Sequence, residues 1–377
     1  MRRRPTVGIS YRFLPHYRIG FFSSLHAALL DDGIDLELCY GVPASSDTTP
    51  DPALPWARPV HNGTVAIGDA PPLVWQRIPP AVRNADLVVL MQESRMLSNF
   101  PVIARGMAGR SRVALWGHGL NFEQQHGSFM NRFKLFYSSH VHWWFAYTDG
   151  VANVLTAAGF PRARITVVEN SIDTELLRKE ARKADAMSAA ALRDHIGMKA
   201  GPAAIFCGRL YDRKRIDFLL EASGRIRERI SDFELIVIGD GPDAAKVRAF
   251  ALANPWVHYV GAHFDREIVP YFELADVCLM PGAVGLTILD TFALETPLIA
   301  TRLSDHGPEI EYLRPEENGI MTENTVDAFV DGVVRVLSSA ELRERLQAGC
   351  RESASHYTLQ NMVRNFQSGV HGALEAS

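Results

Sequence analysis

The sequence predicts an α/β protein built from two Rossmann-like, doubly wound domains that face a cleft. Short apolar runs alternate with segments of helical periodicity along the 377 residues. Apolar runs of this length indicate parallel strands whose two faces are covered by helices. The alternation stops in a charged, alanine-rich stretch at 175–200 and restarts at 203. Because 377 residues exceed one ordinary domain, we expect two domains of the same class.

The first half begins with the apolar run 6–10, which predicts a strand, and the periodic segment 19–30 predicts the helix after it. Further strands are predicted at 34–40, 87–91, 113–116, 144–148 and 165–168. Proline and glycine are dense between 41 and 80, so this stretch is predicted to be a long loop or a broken segment. Long loops within compact domains often carry function.

The second half repeats the alternation more regularly. Strands are predicted at 203–207, 234–238, 257–260, 276–280 and 297–301, and helices at 216–229, 242–253, 267–274, 326–337, 340–353 and 359–374. In open α/β sheets, ligands bind beyond the carboxyl ends of the strands. The loops that follow the strands of both halves are therefore expected to line the cleft.

The composition is typical of a globular protein, with 47% apolar and 22% charged residues. A net charge of −4 argues against nucleic acid as a partner, because extended binding to phosphates needs many cations. No apolar run is long enough to span a bilayer, and the run after the basic residues 1–4 is too short for a signal peptide. The four cysteines form no C-x-x-C pair, which favours buried thiols, no zinc site and a cytoplasmic location.

The segment 279–300 predicts an anion-binding site. An apolar strand ends at Pro281, a glycine-rich loop follows, and a helical pattern begins near Gly285. The first N–H groups of a helix lack intrahelical partners and carry partial positive charge, so such a turn can bind phosphate. Asp290, in the second turn, is placed to accept hydrogen bonds from a sugar diol. Phosphate and ribose together indicate a nucleotide.

A cluster of cations follows the strand predicted at 203–207. Gly208 allows the chain to turn sharply after that strand. The four cations are Arg209, Arg213, Lys214 and Arg215. Since not all four can point to one ligand, Arg209 and Lys214 are predicted to bind phosphate through charge-assisted hydrogen bonds. The alternative is a solvated charged turn, which is the usual role of such runs.

The first half supplies candidates at the ends of its own strands. His118 lies between two glycines after an apolar strand, and it is predicted either to be structural or to contact the substrate. The loop after the first strand supplies the candidates on the acceptor side, Tyr11, His16, Arg18 and Gly20.

Other patterns carry less information. The G-x-G at 239–241 lacks the third glycine of a dinucleotide site, so a turn with Pro242 at a helix start is favoured over phosphate binding. No serine lies in a recognisable nucleophile motif, and no spacing of histidines or carboxylates demands a metal. The sequence therefore predicts neither a metal nor a cofactor.

Taken in order, these motifs resemble one family. They are LPHYRIGFF from Leu14, LWGHG from Leu115, VVENSID from Val167, FCGRLYDRK from Phe206, VIGDGP from Val237, PGAVGLTILDTFALETPLIAT from Pro281, GPEIEY from Gly307 and ENGI from Glu317. The series covers essentially the whole chain and is similar to retaining GT-B glycosyltransferases of glycosyltransferase family 4.

The resemblance implies a nucleotide-diphosphate sugar donor in the second domain, 173–356. It implies an acceptor in the first domain, 1–172, onto which a final helix at 357–377 packs back. The donor contacts that it implies are Gly208, Arg209, Lys214, Gly285, Leu286, Thr287 and Asp290.

The same resemblance implies a role for individual residues. Arg209 and Lys214 would bind the diphosphate, and Asp290 would bind the ribose. The backbone at Leu286 and Thr287 would meet the same phosphates. The resemblance also aligns His118 with a histidine that contacts the donor sugar, and it groups His118 with Arg209 and Lys214 as catalytic.

The chain departs from the family at one important place. Gly282 stands where the family commonly has the first of two glutamates, and Asp290 stands at the second. The missing carboxylate usually contacts hydroxyls of the donor sugar. Three hypotheses therefore remain open: a metal-independent glycosyltransferase, a sugar-nucleotide epimerase of the same fold, and a non-catalytic partner that binds nucleotide sugars.

The segment 131–137 mixes cations with aromatic residues and is a candidate for contact with an anionic membrane, together with Arg105, Arg110 and Arg112. An ordinary core-facing helix is the alternative. On the membrane hypothesis, the acceptor is a lipid-linked saccharide at the inner face of the cell membrane, used in cell-surface glycan assembly.

Overall fold

The computed structural model of the chain describes residues 3–42, 54–67, 70–118, 137–183 and 186–376. Its internal contacts divide the chain into two compact units. Unit one comprises Met1–Asn170 and Leu359–Ser377, and unit two comprises Ser171–Thr358. The boundaries expected from the sequence are 172/173 and 356/357.

Each unit contains a twisted, largely parallel sheet with helices, which confirms the predicted α/β class. In the described part of unit one the strand order is β4-β3-β2-β1-β5-β6-β7-β8. The strands are β1 Thr6–Tyr11, β2 Asp35–Val42, β3 Arg58–Ile67, β4 Ala70–Gln76, β5 Leu87–Met91, β6 Arg112–Gly117, β7 Trp143–Ala146 and β8 Ile165–Val167. Among the described residues before 170 the helices are α1 Ile19–Asp31, α2 Pro80–Arg83, α3 Asn99–Met107 and α4 Asp149–Ala157.

The stretch 41–80 is not simply a long loop, as the sequence suggested. Strands β3 and β4 form an antiparallel hairpin here, and β3 pairs in parallel with β2. The prolines were misleading because β4 is the outermost strand of the described sheet. An edge strand tolerates residues such as Pro72, since no neighbour on its outer side needs the missing N–H.

Unit two carries a sheet whose described strands are all parallel, in the order β11-β10-β9-β12-β13-β14. The strands are β9 Ala203–Cys207, β10 Glu234–Ile238, β11 Val257–Gly261, β12 Val277–Met280, β13 Leu298–Thr301 and β14 Gly319–Thr322. The helices described in this unit are α5 Thr174–Ala181, α6 Ala186–His195, α7 Ile216–Arg229, α8 Ala244–Ala253, α9 Val269–Phe272, α10 Thr287–Ala293, α11 Val326–Leu337 and α12 Ala340–His356. Most of the strands in this sheet are fully buried, which explains their continuous apolar sequences.

The last helix, α13 at Leu359–Glu375, packs against the sheet of unit one. The ring of Phe366 stacks on Phe145 of β7 at 4.1 Å between centroids, and its edge meets Trp116 of β6 at 5.1 Å. Gly369 permits this approach, because a Cβ atom there would lie 2.6 Å from the Phe145 ring. Unit one is therefore completed by the far end of the sequence.

Among the helices of the described residues, none combines the length and the apolar character needed to cross a bilayer.

Candidate active site

The candidate donor site lies at the point where the strand order of unit two reverses. From β9 the chain proceeds outward to β10 and β11, and it then returns to place β12 on the other side of β9. Such switch points are where open α/β sheets bind ligands. The cation cluster follows β9 and the glycine-rich loop follows β12. The fold therefore brings the two predicted groups together at one edge of the sheet.

Two of the four cations are engaged in holding the loops. The Nε atom of Arg213 lies 3.2 Å from Oδ2 of Asp305. Arg215, which has a φ of 54°, donates hydrogen bonds to the Pro281 carbonyl at 3.2 Å and to Oδ1 of Asn324 at 2.5 Å. These contacts leave the other two cations as the candidates for ligand binding.

Arg209 and Lys214 differ sharply in environment. Arg209 is exposed, and its guanidinium has no side-chain partner among the residues that the structure describes. Lys214 is only 8% exposed, and its Nζ atom donates to the Ala283 carbonyl at 2.6 Å. Burial lowers the pKa of the Lys214 ammonium to about 8. An ammonium has three donors, so Lys214 can bind an anion while it keeps its bond to the loop.

Asp290 lies in α10 close to the end of β9. Loss of hydration raises the pKa of its carboxyl group to about 8, and the negative charge of Asp265 adds to the effect. The proximity of Asp290 also raises the pKa of the Cys207 thiol, although burial is the larger cause. Within the described ranges the half-buried side chain of Asp290 forms no hydrogen bond. With a pKa of about 8 the group is mainly a neutral acid at pH 7, which can accept hydrogen bonds from the hydroxyls of a bound ligand and can donate one.

The first turn of α10 is tied to β9. The hydroxyl of Thr287 donates to the Cys207 carbonyl at 3.3 Å. The N–H groups of Ile288 and Leu289 bond to the carbonyls of Gly285 and Leu286, so the turn is tight. A Cβ atom built on Gly285 would meet no atom within 4 Å, which shows open space beside the loop. The predicted contacts at Leu286 and Thr287 border this space.

Gly282 lies where no side chain can be accommodated. A Cβ atom built there would be 2.4 Å from the carbonyl oxygen of Arg213 and 2.5 Å from the Cα atom of Lys214. The backbone of the cation loop therefore occupies the volume that a glutamate at 282 would need. The departure from the family pattern is built into the packing of the two loops.

The G-D-G segment after β10 supports the cation loop, in agreement with the turn interpretation. A Cβ atom on Gly239 would lie 1.9 Å from the Gly208 carbonyl oxygen, so only glycine permits this approach. The Leu210 N–H donates to the Asp240 carbonyl at 2.9 Å. The segment thus fixes the backbone on both sides of Arg209.

His306 was not singled out from the sequence, yet it connects two parts of the site. Its Nδ1 atom accepts a hydrogen bond from the Val284 N–H at 3.0 Å, and its Nε2 atom bonds to the Thr301 carbonyl at 2.8 Å. These partners require a neutral imidazole with the proton on Nε2, and burial lowers the pKa of His306 accordingly. A lone histidine gives no signal in the sequence that could reveal this role.

Two of the candidates in unit one belong to its packed interior. Tyr11 is buried at the end of β1, where its ring meets Phe22 at 5.3 Å. Arg18 is 2% exposed, bonds to Asn170 and lies 5.6 Å from the Trp116 ring. Both side chains contribute to the packing of this unit, and their predicted contact with an acceptor stays a prediction.

The other first-half candidates lie nearer the surface. His16 is exposed in a short 3₁₀ turn, and Gly20 lies in the first turn of α1. His118 is the exposed residue directly after β6, and its ring meets that of Tyr147 edge-on at 4.5 Å. Their roles remain predictions.

In the described ranges no group of three or more His, Cys, Asp or Glu residues is arranged to hold a metal ion. All four cysteines are buried and unpaired with one another.

Comparisons with known proteins agree with this architecture. A family model described as "Glycosyl transferases group 1" matches residues 201–339, the heart of unit two. The crystal structure of HepE from Anabaena in complex with UDP superposes with a TM-score of 0.73 over 97% of this chain and 99% of that one, at 13% identity. A glycosyltransferase structure from Rickettsia africae gives a TM-score of 0.71 over 100% of both chains, at 15% identity. The fold is the GT-B fold of glycosyltransferases.

Curated relatives match only part of this GT-B chain. The alpha-D-kanosaminyltransferase of Streptomyces kanamyceticus is 26% identical over 44% of this chain and 43% of its own length. A GDP-mannose-dependent phosphatidylinositol dimannoside mannosyltransferase of Mycobacterium tuberculosis is 27% identical over 50% of this chain and 48% of its own length. The matched region thus spans about half the length of each of these relatives.

Proposed function

We propose that the chain is a retaining, metal-independent glycosyltransferase of family 4 type, which moves a sugar from a nucleotide diphosphate to an acceptor hydroxyl. The observation that carries the proposal is that the segments bearing Arg209, Lys214 and Asp290 follow β9 and β12, the two neighbouring strands at the switch point of unit two. These segments offer two cations for a diphosphate and one carboxyl group for a ribose. The match of 201–339 to a glycosyltransferase family model supports the same assignment.

The chief barrier to sugar transfer is the negative charge that grows on the leaving diphosphate. Arg209 and Lys214 would stabilise that charge, and the backbone at Leu286 and Thr287 would meet the same phosphates. Lys214 suits the task because its ammonium is already partly desolvated and is held by the Ala283 carbonyl. His118 would contact the donor sugar or position the reacting groups.

The experiment is a binding screen followed by turnover. Thermal shifts against UDP, GDP, ADP and dTDP identify the nucleotide, and turnover is then measured with its sugars in buffer containing EDTA. Arg209→Ala and Lys214→Ala should each slow turnover about 100-fold, since each cation supplies about 3 kcal/mol to the transition state. Rates near that of the unmodified protein would contradict the assignment, and activity restored only by magnesium would contradict metal independence.

For the acceptor we propose a lipid-linked or other saccharide at the cytoplasmic face of the cell membrane. One relative is named a phosphatidylinositol dimannoside mannosyltransferase and another an alpha-monoglucosyldiacylglycerol synthase, which supports a lipid acceptor. Of the proposed membrane segment, residues 131–136 lie outside the described residues, and Tyr137 is buried. Arg112 bonds to the Leu374 carbonyl, so it is a structural residue. Absence of binding to anionic vesicles at low salt would count against membrane contact.

A second candidate function is a non-catalytic nucleotide-sugar binder, favoured by the absence of space for a carboxylate at Gly282. Calorimetry that shows donor binding, together with no turnover over a broad panel of acceptors, would support it. Interconversion of sugar isomers without an acceptor would instead indicate the epimerase.

A further inference from the structure

The carboxylate of Glu309 lies beside the glycine-rich loop, although it belongs to a different segment. Glu309 is in the short 3₁₀ helix Pro308–Tyr312 and is only 3% exposed. A Cβ atom built on Gly307 would lie 2.8 Å from Oε2 of Glu309, 2.9 Å from the Val284 carbonyl oxygen and 3.5 Å from the Cα atom of Gly285. The carboxylate and the loop backbone therefore converge on the same small volume.

Hydrogen bonds fix the segment that carries Glu309 to the loop. The Gly307 N–H donates to the Val284 carbonyl at 2.7 Å, and the Val284 N–H donates to His306 at 3.0 Å. His306 in turn bonds to the Thr301 carbonyl at the end of β13. Because both backbone groups of Val284 are bonded to residues 306 and 307, the chain directly before Glu309 is held against the loop.

The surroundings of the carboxylate decide what it can bind. In the loop, the residue before Val284 is Ala283, whose carbonyl accepts the hydrogen bond from Lys214. The residue after Val284 is Gly285, where an added Cβ atom would face open space before α10 begins. A carboxylate repels phosphate but accepts hydrogen bonds strongly from hydroxyl groups. The ligand group that lies next to Glu309 should therefore be neutral and rich in hydroxyls.

We propose that Glu309 binds a hydroxyl of the sugar that is transferred, and that it supplies the carboxylate which the loop cannot carry at Gly282. The inference rests on the proposed function and deepens it. Arg209 and Lys214 then bind the diphosphate, Asp290 binds the ribose, and Glu309 selects a donor sugar with a hydroxyl at the matching ring position. The segment after β13 supplies this carboxylate, because the backbone of the cation loop fills the volume that a side chain at position 282 would need.

The test compares each nucleotide with its own sugar derivative. Calorimetry measures UDP against UDP-glucose, and GDP against GDP-mannose, for the unmodified protein, Glu309→Gln and Glu309→Ala. We expect both variants to bind the nucleoside diphosphate with an affinity within about twofold of that of the unmodified protein. Their affinity for the sugar derivative, relative to that for its nucleoside diphosphate, should fall about 10- to 100-fold. Glu311→Gln is the matched control, because Glu311 is exposed on the same 3₁₀ helix.

A coupling measurement sharpens the result. Analogues of UDP-glucose or GDP-mannose that each lack one sugar hydroxyl are used as ligands. The affinity for each analogue is measured for the unmodified protein and for Glu309→Gln. For one analogue the loss from Glu309→Gln should vanish, since the partner hydroxyl is already absent. Equal losses for all analogues would overturn the contact.

Other outcomes are also decisive. An unchanged ratio of affinities, or an equal loss for UDP and UDP-glucose, would overturn the inference, because Glu309 would then only support the loop. If none of the nucleotides binds the unmodified protein, the proposed function itself fails. Thermal unfolding verifies that each variant is folded, and Glu309→Asp serves as the mildest change if Glu309→Ala does not fold.

Discussion

At the scale of single residues, the candidate site depends on what each cation already contacts. Arg213 and Arg215 are bonded to other loops, Arg209 is exposed, and Lys214 is buried beside the Ala283 carbonyl. Equal formal charges therefore lie in different environments. Arg209 offers an exposed guanidinium, whereas the charge of Lys214 depends on pH because burial lowers its pKa to about 8.

The first prediction follows from that pH dependence. Since the pKa of Lys214 is lowered to about 8, its ammonium is charged below pH 8 and neutral above it. We expect the affinity for the nucleoside diphosphate found in the screen to fall about tenfold or more between pH 7 and pH 9.5. Calorimetry at the two pH values measures the change.

Controls separate Lys214 from its neighbours. Lys214→Met should bind weakly and lose the part of the pH dependence that Lys214 supplies, and Arg209→Met should weaken binding but keep the pH dependence. Asp290→Asn removes a second group whose pKa is about 8. A lowered lysine pKa makes the unliganded fold more stable as pH rises from 8 towards 10.5, since the unfolded chain binds more protons there. Burial raises the thiol pKa values of the four cysteines, which lowers stability above pH 9 and opposes this rise. The Lys214 contribution is therefore taken from the difference in stability between the unmodified protein and Lys214→Met, and a difference that does not change between pH 8 and pH 10.5 would contradict the assignment.

The second prediction concerns two glycines in one loop. Gly282→Ala should destabilise the protein by about 1–3 kcal/mol and weaken nucleotide binding, because the new methyl group collides with the backbone at Arg213 and Lys214. Gly285→Ala is the matched control and should leave stability unchanged, since its Cβ atom meets open space. Urea unfolding measures both variants. Equal stability of the two would show that the cation loop does not pack as described.

At the scale of elements, the sheet of unit two is fixed at the end remote from the site by a buried polar cluster. Glu234 at the start of β10 is 1% exposed, and its Oε2 atom lies 2.6 Å from Nε2 of His258 in β11. His258 also bonds to the Ile196 carbonyl, and Arg227 lies 3.7 Å from Glu234. The cluster connects two strands and two helical segments through one carboxylate.

The third prediction is that Glu234→Ala destabilises unit two by about 3–5 kcal/mol, because it leaves buried polar partners without their acceptor. Chemical unfolding followed by circular dichroism measures the loss. Glu341→Ala, on the surface of α12, should change stability little and serves as the control. A loss below 1 kcal/mol would mean that the cluster contributes little to stability.

At the scale of the whole molecule, segments that are consecutive in sequence do not always belong to the same unit. Helix α13 follows unit two directly in sequence, yet its apolar face covers the sheet of unit one. The stacked pair of Phe366 and Phe145 joins the last helix to a strand more than half the chain earlier.

The fourth prediction uses this arrangement. Phe366→Ala should destabilise unit one by about 3–5 kcal/mol, through the lost packing of a fully buried ring. Nucleotide binding should persist at temperatures where unit two is still folded, because the donor candidates belong to that unit. Scanning calorimetry with and without the nucleotide measures both effects. If nucleotide binding were lost at the temperature at which unit one unfolds, the assignment of nucleotide binding to unit two would be contradicted.

Sequence patterns determined much of this protein. Continuous apolar strands at 203–207 and 277–280 required burial on both faces, so the parallel α/β class and the position of the two loops could be predicted from hydrophobicity. The cations after Gly208 and the acid at 290 could also be identified from the sequence, because local motifs place them at the ends of strands and helices. The hairpin within 41–80 was missed, because proline on an edge strand looks the same in sequence as proline in a loop.

Only the tertiary structure decided which residues share a volume. It showed that backbone fills the space at Gly282, that Arg213 and Arg215 are already bonded, and that burial shifts the pKa values of Lys214 and Asp290 towards 8. It also placed His306 and Glu309 beside a loop that precedes them by a whole strand. Hydrophobic periodicity is a local property that a sequence displays directly. Close approach, desolvation and hydrogen-bond partners are properties of distant segments in contact, and they exist only once the chain has folded.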